Sequence, residues 1–125
     1  MIKMVIGVYR KPGMTIEEFN DRWLNGHGLL VRRLAPKLRI KKYVQSHYLP
    51  CPEREQGWKE RGWVSGPDGL TETYWESIED FREAYSTPEA QAATRELAVD
   101  EAQFLDMTKT TVFMSQEHLI FDHTG

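Results

Sequence analysis

A single cysteine, Cys51, among 125 residues rules out an internal disulfide and any cysteine-based metal cluster, so the core alone must hold the fold. A reducing compartment suits such a chain. No run of 18 apolar residues occurs, and Met1 to Arg10 lacks a long apolar stretch followed by a cleavage-like site. The expectation is a soluble, cytoplasmic protein with no membrane span or secretory signal. Positive charge is not in excess either: 16 Lys and Arg against 19 Asp and Glu give a net charge of −3. That balance argues against nucleic acid as a partner, because phosphate binding needs a concentrated basic face. A glycine-rich phosphate loop is absent too, since the glycines from Gly57 to Gly69 neither follow a strand nor precede a helix as such a loop requires. His27, His47, His118 and His123 are too dispersed to indicate a metal site, and no serine sits in a nucleophile elbow. Neither metal nor organic cofactor is expected.

What remains is an ordinary composition, 40% hydrophobic and 28% charged, on a length that suits one domain over residues 1–125. The stretch from Thr15 to Pro36 organises it. Thr15 followed by Glu18 is a capping box, and Phe19, Trp23, His27, Leu30 and Leu34 recur at spacings of three and four, forming one apolar face. His27 is the ionisable member of that stripe and points toward the core. Gly26 and Gly28 flank it: either they leave room for a ligand or a closely packed strand, or the helix bends or breaks there.

Around this helix the chain alternates. Ile2 to Arg10 reads as a strand with apolar residues on both faces, and Leu38 to Leu49 as a second, with Tyr43, Gln45 and His47 on one parity and Val44 on the other. Tyr43 and His47 lie about 13 Å apart along an extended strand, so they can line one pocket without touching. Residues 50–69 carry prolines, glycines and charges and read as a long loop, of the kind that serves as a lid, binding loop or mobile insert, with Trp58 and Trp63 either anchoring it on the domain, covering a ligand or meeting a partner subunit. Thr71 to Trp75 is a third strand. Ser77 and then Thr87 with Pro88 open two helices, the second carrying Ala90, Ala93, Leu97, Glu101 and Phe104 at helical spacings, and Lys109 to His118 forms the last strand. Strand, helix, strand, loop, strand, helices, strand is the α+β, ferredoxin-like split βαβ arrangement with a four-stranded antiparallel sheet. Its helices cover one face only, so apolar residues on the other face favour a homodimer through sheet-to-sheet packing.

The residue kit permits proton transfer. His27 titrates near neutrality and can serve as general base or acid, while Tyr43 or His47 can donate a hydrogen bond to an oxygen gaining negative charge. The plainer reading is that His27 merely ties helix to strand. Phe19, Trp23, Leu30 and Val44 are the candidate walls for a small apolar or aromatic molecule. Arg32, Arg33, Lys37, Arg39, Lys41 and Lys42 form the one basic run, which is either a solvated helix end and strand surface or an attractor for an anionic small molecule.

In the order of its landmarks the chain resembles the EthD domain family of the dimeric α/β-barrel superfamily. Those landmarks are Lys11 and Pro12, the Phe19, Trp23 and His27 series, Tyr43, Trp75, Pro88, then Asp100, Glu101 and Phe104, and finally Glu117 and His118. The resemblance implies a protomer that pairs sheet to sheet into a dimeric α/β barrel, with a pocket between sheet and helices. It implies a cofactor-independent lyase, isomerase or cyclase acting on a small aromatic, lactone or polyketide-like compound. The alternatives it leaves open are a cofactor-independent monooxygenase and a noncatalytic binding or accessory protein. His27 and Tyr43 match recurrent family positions, and His47 matches a second histidine of some lactone-isomerising relatives.

Overall fold

The computed structural model describes residues 1–125. Four strands, β1 (Ile2–Val8), β2 (Lys42–His47), β3 (Gly69–Trp75) and β4 (Thr111–Gln116), form one sheet in the order β2-β3-β1-β4, every neighbouring pair antiparallel. A continuous helical stretch joins β1 to β2. It consists of α1 (Ile16–Asp21), a π-helical turn (Arg22–His27), α2 (Gly28–Leu34) and a closing 3-10 turn (Ala35–Leu38). The helix α3 (Pro52–Glu60) lies between β2 and β3, and α4 (Ile78–Ala84) and α5 (Pro88–Glu101) connect β3 to β4. The topology is the ferredoxin-like α+β arrangement. No helix is long and apolar enough to cross a membrane.

Local chemistry explains where the helices begin. The Thr15 hydroxyl accepts from the Glu18 N–H while the Glu18 carboxylate accepts from the Thr15 N–H. Ser77 and Thr87 accept from the N–H groups of Asp80 and Ala90, and Pro88 occupies the first turn of α5, where a missing N–H costs nothing. The π turn follows from the side-chain spacing. Phe19, Trp23, His27 and Val31 are all buried and each lies four positions from the last. In an α-helix such a series drifts by about 40° per step. A turn closed by the Gly28 N–H donating to the Trp23 carbonyl, five residues back, takes that drift back. It also moves the inward register on by one residue, so Val31 rather than Leu30 continues the stripe beyond His27. The helix neither breaks nor leaves an empty gap at its glycines. A methyl group on Gly28 would stand 3.3 Å from Gln45 Nε2, and one on Gly26 would stand 2.6 Å from Arg22 Nη1, so both glycines admit side chains at close approach.

Two apolar clusters form between sheet and helices. One joins Val8, Phe19, Trp23, Phe104 and Leu105; the other joins Leu34, Leu38, Ala90 and Ala93. Trp75, fully buried, pins the second by donating from its indole N–H to the Leu38 carbonyl at 2.7 Å.

The segment 50–69 departs from expectation, since its first half is the nine-residue helix α3 rather than irregular loop. Pro52 sits in its first turn, where proline is tolerated, Glu53 and Glu55 complement the positive helix start, and Gly62 (φ 81°) ends it. There the Gly62 N–H reaches the Lys59 carbonyl and the Trp63 N–H reaches the Trp58 carbonyl, a Schellman closure. Residues that read as loop punctuation are therefore helix boundaries. The second strand likewise begins later than Leu38, which lies in the 3-10 turn, because Pro36 and left-handed Arg39 (φ 55°) finish the helix first.

Trp23 fits against β3 only because residue 69 is glycine. A methyl group there would stand 2.5 and 2.6 Å from two atoms of the Trp23 ring and 2.8 Å from the Ser46 carbonyl oxygen. Gly69→Ala is expected to destabilise the fold by about 1–3 kcal/mol, as overpacking does, measured by urea unfolding against wild type.

Candidate active site

A cavity of about 60 Å³ lies between the sheet and the helices, its walls drawn from both apolar clusters. Met4, Ile6 and Val8 of β1 and Thr71, Thr73 and Trp75 of β3 point into it from the sheet, while Trp23, His27, Val31, Leu97, Glu101 and Phe104 close it from the helical side. Strand alternation puts all six sheet residues on the inner face. Polar groups are few, and one is unused: Thr71 Oγ1 is buried with no hydrogen-bond partner.

His27 is held from outside the cavity. Its Nδ1 lies 2.7 Å from Asp100 Oδ2, and Arg22 grips both oxygens of the same carboxylate. Arg22 also lies over the Phe104 ring, and Phe104 packs 5.2 Å from the imidazole, so the guanidinium and the ring fix one another. Asp100 stays ionised because Arg22 holds its carboxyl below the usual range, and hydrogen bonding to His27 adds to this. An ionised Asp100 accepts a hydrogen bond from the Nδ1–H, which leaves the neutral tautomer with its Nε2 lone pair directed away from Asp100. Facing that lone pair at 3.7 Å is Glu101 Oε2.

The two groups have exchanged their usual order of basicity. Burial pushes the His27 imidazole below its ordinary value, against the opposing pull of Asp100. Burial, with the Asp100 charge next to it, pushes Glu101 up to about 7. Near neutral pH a shared proton therefore resides on Glu101, with His27 neutral.

Tyr43 completes the polar lining from β2. Its oxygen accepts from Gln45 Nε2 at 3.1 Å, which leaves its own O–H available, and burial raises it above the usual phenol range. Gln45 Nε2 also reaches the Trp23 carbonyl, the acceptor of the π turn, and Gln45 Oε1 lies 2.8 Å from His47 Nε2. His47 stacks on Trp23 with centroids 4.5 Å apart and does not border the cavity. Its place is behind Gln45.

Of the residues named from sequence, His27, Tyr43 and Trp23 are brought together here. Phe19 is wholly buried in the neighbouring cluster, and Leu30 packs against the other cluster because the π turn moved the register. Val44 faces the opposite side of the sheet from Tyr43, as adjacent residues of a strand must. Trp58 and Trp63 do not border this cavity, and Arg61 covers the Trp63 ring at 4.2 Å. Glu101, Asp100 and Arg22 complete the site without having been singled out as chemical residues. Glu101 carried the same signal as His27, an ionisable group on an apolar stripe. No group of three or more His, Cys, Asp or Glu side chains is arranged to hold a metal ion.

Comparison with known proteins follows the same lines. The EthD domain model matches residues 11–108. Among solved structures, the chain is similar to an EthD family protein from Bacillus halodurans. That match has 19% identity and a TM-score of 0.61, covering 94% of this chain and 100% of the other. It is also similar to a hydroxynitrile lyase from Passiflora edulis, at 16% identity and TM-score 0.60, covering 97% and 96%. A putative antibiotic biosynthesis monooxygenase from Deinococcus radiodurans matches at 10% identity and TM-score 0.55, with both chains covered fully. At such identities the likeness is one of fold. No curated protein matches the chain by sequence.

The raised Glu101 sets a stability test. Between its ordinary value of 4.5 and about 7, the folded chain holds a proton that the unfolded chain has released, so stability from this group falls as pH rises through that window. Glutamine mimics the protonated acid. Glu101→Gln is expected to leave the melting temperature unchanged near about pH 4 and to raise it at about pH 8, checked by calorimetry at both.

Proposed function

The chain belongs to the EthD domain family, and we propose that it is a cofactor-independent lyase, isomerase or cyclase that moves a proton within a small carbonyl or phenolic compound. The observation that carries this reading is the approach of Glu101 Oε2 to His27 Nε2, 3.7 Å apart on the wall of an otherwise apolar cavity. A carboxyl group with a value near the working pH is suited both to take a proton and to return it. In its ionised form Glu101 removes a proton from a carbon or hydroxyl next to the carbonyl. The oxygen that gains the charge takes a hydrogen bond from the Tyr43 O–H, and the Thr71 hydroxyl offers a second donor at the same cavity. His27, oriented by Asp100, accepts a hydrogen bond from protonated Glu101 and holds the acid in place until the proton returns to another atom. Return to carbon isomerises; return to a departing group completes an elimination. His47 is a positioning residue in this scheme, acting on Tyr43 through Gln45.

We place a second copy of the chain against the outer sheet face, so that two sheets close a dimeric α/β barrel. Support comes from that face itself, where Val5 pairs with Phe113, a phenylalanine 61% exposed in the single chain, and Leu70 and Tyr74 lie one strand further on. Light scattering is expected to give twice the chain mass, and Phe113→Asp to shift it toward the monomer; a monomeric wild type rejects the arrangement.

Proton transfer is read by deuterium uptake next to the carbonyl of small ketones and lactones in heavy water, followed by NMR. Glu101→Gln and His27→Ala are each expected to lower catalysed exchange by about 10²–10⁴-fold, the usual share of general acid–base catalysis. The wild-type rate is expected to rise with pH through about 7 as Glu101 ionises. Exchange that survives both substitutions at full rate would sink the proposal.

A further inference from the structure

The inner cavity by itself is too small to hold a whole ring. Its volume of about 60 Å³ is less than half of the roughly 150 Å³ that holds a benzene molecule in a protein core. A second, open cleft of about 510 Å³ runs between the π turn, α2 and the edge strand β2, within the range of small-molecule sites. The two spaces share three wall residues, Val31, Ile40 and Tyr43. Tyr43 and its neighbours therefore stand between a small, less open chamber carrying acid–base groups and a roomier cleft.

The charge of that cleft is one-sided. Arg32, Lys41 and Lys42 line it, the last with its ammonium turned over the Tyr74 ring at 4.9 Å, and no acidic residue does. The basic run from residue 32 to 42 divides accordingly. Arg33 pairs with Glu96 at 2.9 Å and Arg39 with Asp80 at 3.1 Å, both away from the cleft. Arg32, Lys41 and Lys42 have no carboxylate within ion-pairing distance, although the chain as a whole carries a net negative charge. The apolar side chains of Leu24, Leu29 and Ile40 line the same cleft.

From this juxtaposition we infer that the cleft is the entrance and outer subsite of the inner cavity, and that it selects a substrate bearing a carboxylate. Arg32 and Lys41 hold the anion at the mouth, the apolar walls carry the body of the molecule, and only its carbonyl end enters the chamber of Glu101, Tyr43 and Thr71. The inference rests on the proton-transfer reading of the inner cavity, which supplies the reacting end, but its test reads binding alone.

The probe is 4-oxopentanoate, a keto acid, compared with its uncharged methyl ester. Affinities are measured by ligand-observed NMR at low salt on wild type and on Arg32→Ala/Lys41→Ala, neither residue belonging to the acid–base machinery. Wild type is expected to bind the acid about tenfold more tightly than the ester, the scale of one or two partly exposed ion pairs. The preference is expected to disappear in the double variant and at high salt, while ester affinity stays the same. Equal affinity for acid and ester in wild type, no binding of either, or a preference that survives the double substitution overturns the inference. Glu101→Gln is expected to keep the acid preference. Failure of proton transfer in that variant and failure of anion selection are thus separate results.

Discussion

One carboxylate, Asp100, sets the geometry of everything around it. It receives Arg22 from the π turn and the His27 imidazole from one turn later, and so fixes two side chains of the first helical stretch to the end of α5. The arrangement demands that residues 22 and 27, five apart, face the same way, which is the spacing of a π turn rather than an α-helix. It brings the Arg22 guanidinium close to Gly26, where a methyl group would stand 2.6 Å from Nη1. It also puts the adjacent residue, Glu101, against the cavity. A buried imidazole that merely satisfied itself would not need a guanidinium on the far side of its acceptor. Arg22 keeps Asp100 ionised, which settles which imidazole nitrogen bears the proton and leaves the other toward Glu101.

The cavity reflects how the core is divided. Large aromatic rings, Phe19, Trp23 and Phe104, fill one end between sheet and helices, while small alanines, Ala90 and Ala93, bring α5 close to the 3-10 turn at the other. Between a cluster built from rings and one built on close helix contact, the layers do not interdigitate completely. The lining side chains there are mostly apolar, but Thr71, Tyr43, His27 and Glu101 interrupt them, and Thr71 keeps an unsatisfied hydroxyl. An unpaired buried hydroxyl carries a cost of about 1–3 kcal/mol, which a core selected only for stability would avoid with valine. The polar breaks in the wall are thus better explained by something that occupies the space than by packing.

Most of the fold was legible in the sequence because its signals are local. Capping by Thr15, Ser77 and Thr87 depends on three-residue spacing, and strand faces follow from strict alternation. What failed to show depends on longer range or on ambiguous residues. Glycine and proline mark loops and helix ends alike, so Pro52 and Gly62 concealed α3. A stripe of residues at spacings of three and four fits an α-helix, and nothing local distinguished Leu30 from Val31 until Asp100 and Gln45 set the turn between them. His27 and Tyr43 were visible as polar residues in apolar patterns. Glu101 sat in the same kind of pattern, but a carboxylate on a helix ordinarily reads as a solvated face, and only the fold reveals that it is opposite an imidazole. The pairing of Tyr43 with Gln45 and His47 required the sheet register together with the approach of Trp23.

The distribution of charge follows from that pair. An ordinary carboxyl and imidazole meeting in a core would form an ion pair, because the imidazole is the stronger base in water. Here burial penalises both charged forms, lowering His27 and raising Glu101, while Asp100 is already ionised beside them and opposes a second negative charge. Below about pH 7 the proton therefore stays on Glu101 and the inner wall is neutral, with the compensated Arg22–Asp100 pair behind it. A neutral chamber does not oppose the entry of an uncharged carbonyl group, whereas an ion pair would bind water tightly and exclude it. In the proposed reaction the chamber's charge sits first on ionised Glu101 and passes to the substrate oxygen beside Tyr43, whose O–H is not committed elsewhere. The uncompensated cations lie outside, at the mouth. In the proposed reaction, a chamber that is neutral below about pH 7 and a cationic cleft impose different demands on the two ends of one molecule, an asymmetry that would orient it before any bond changes.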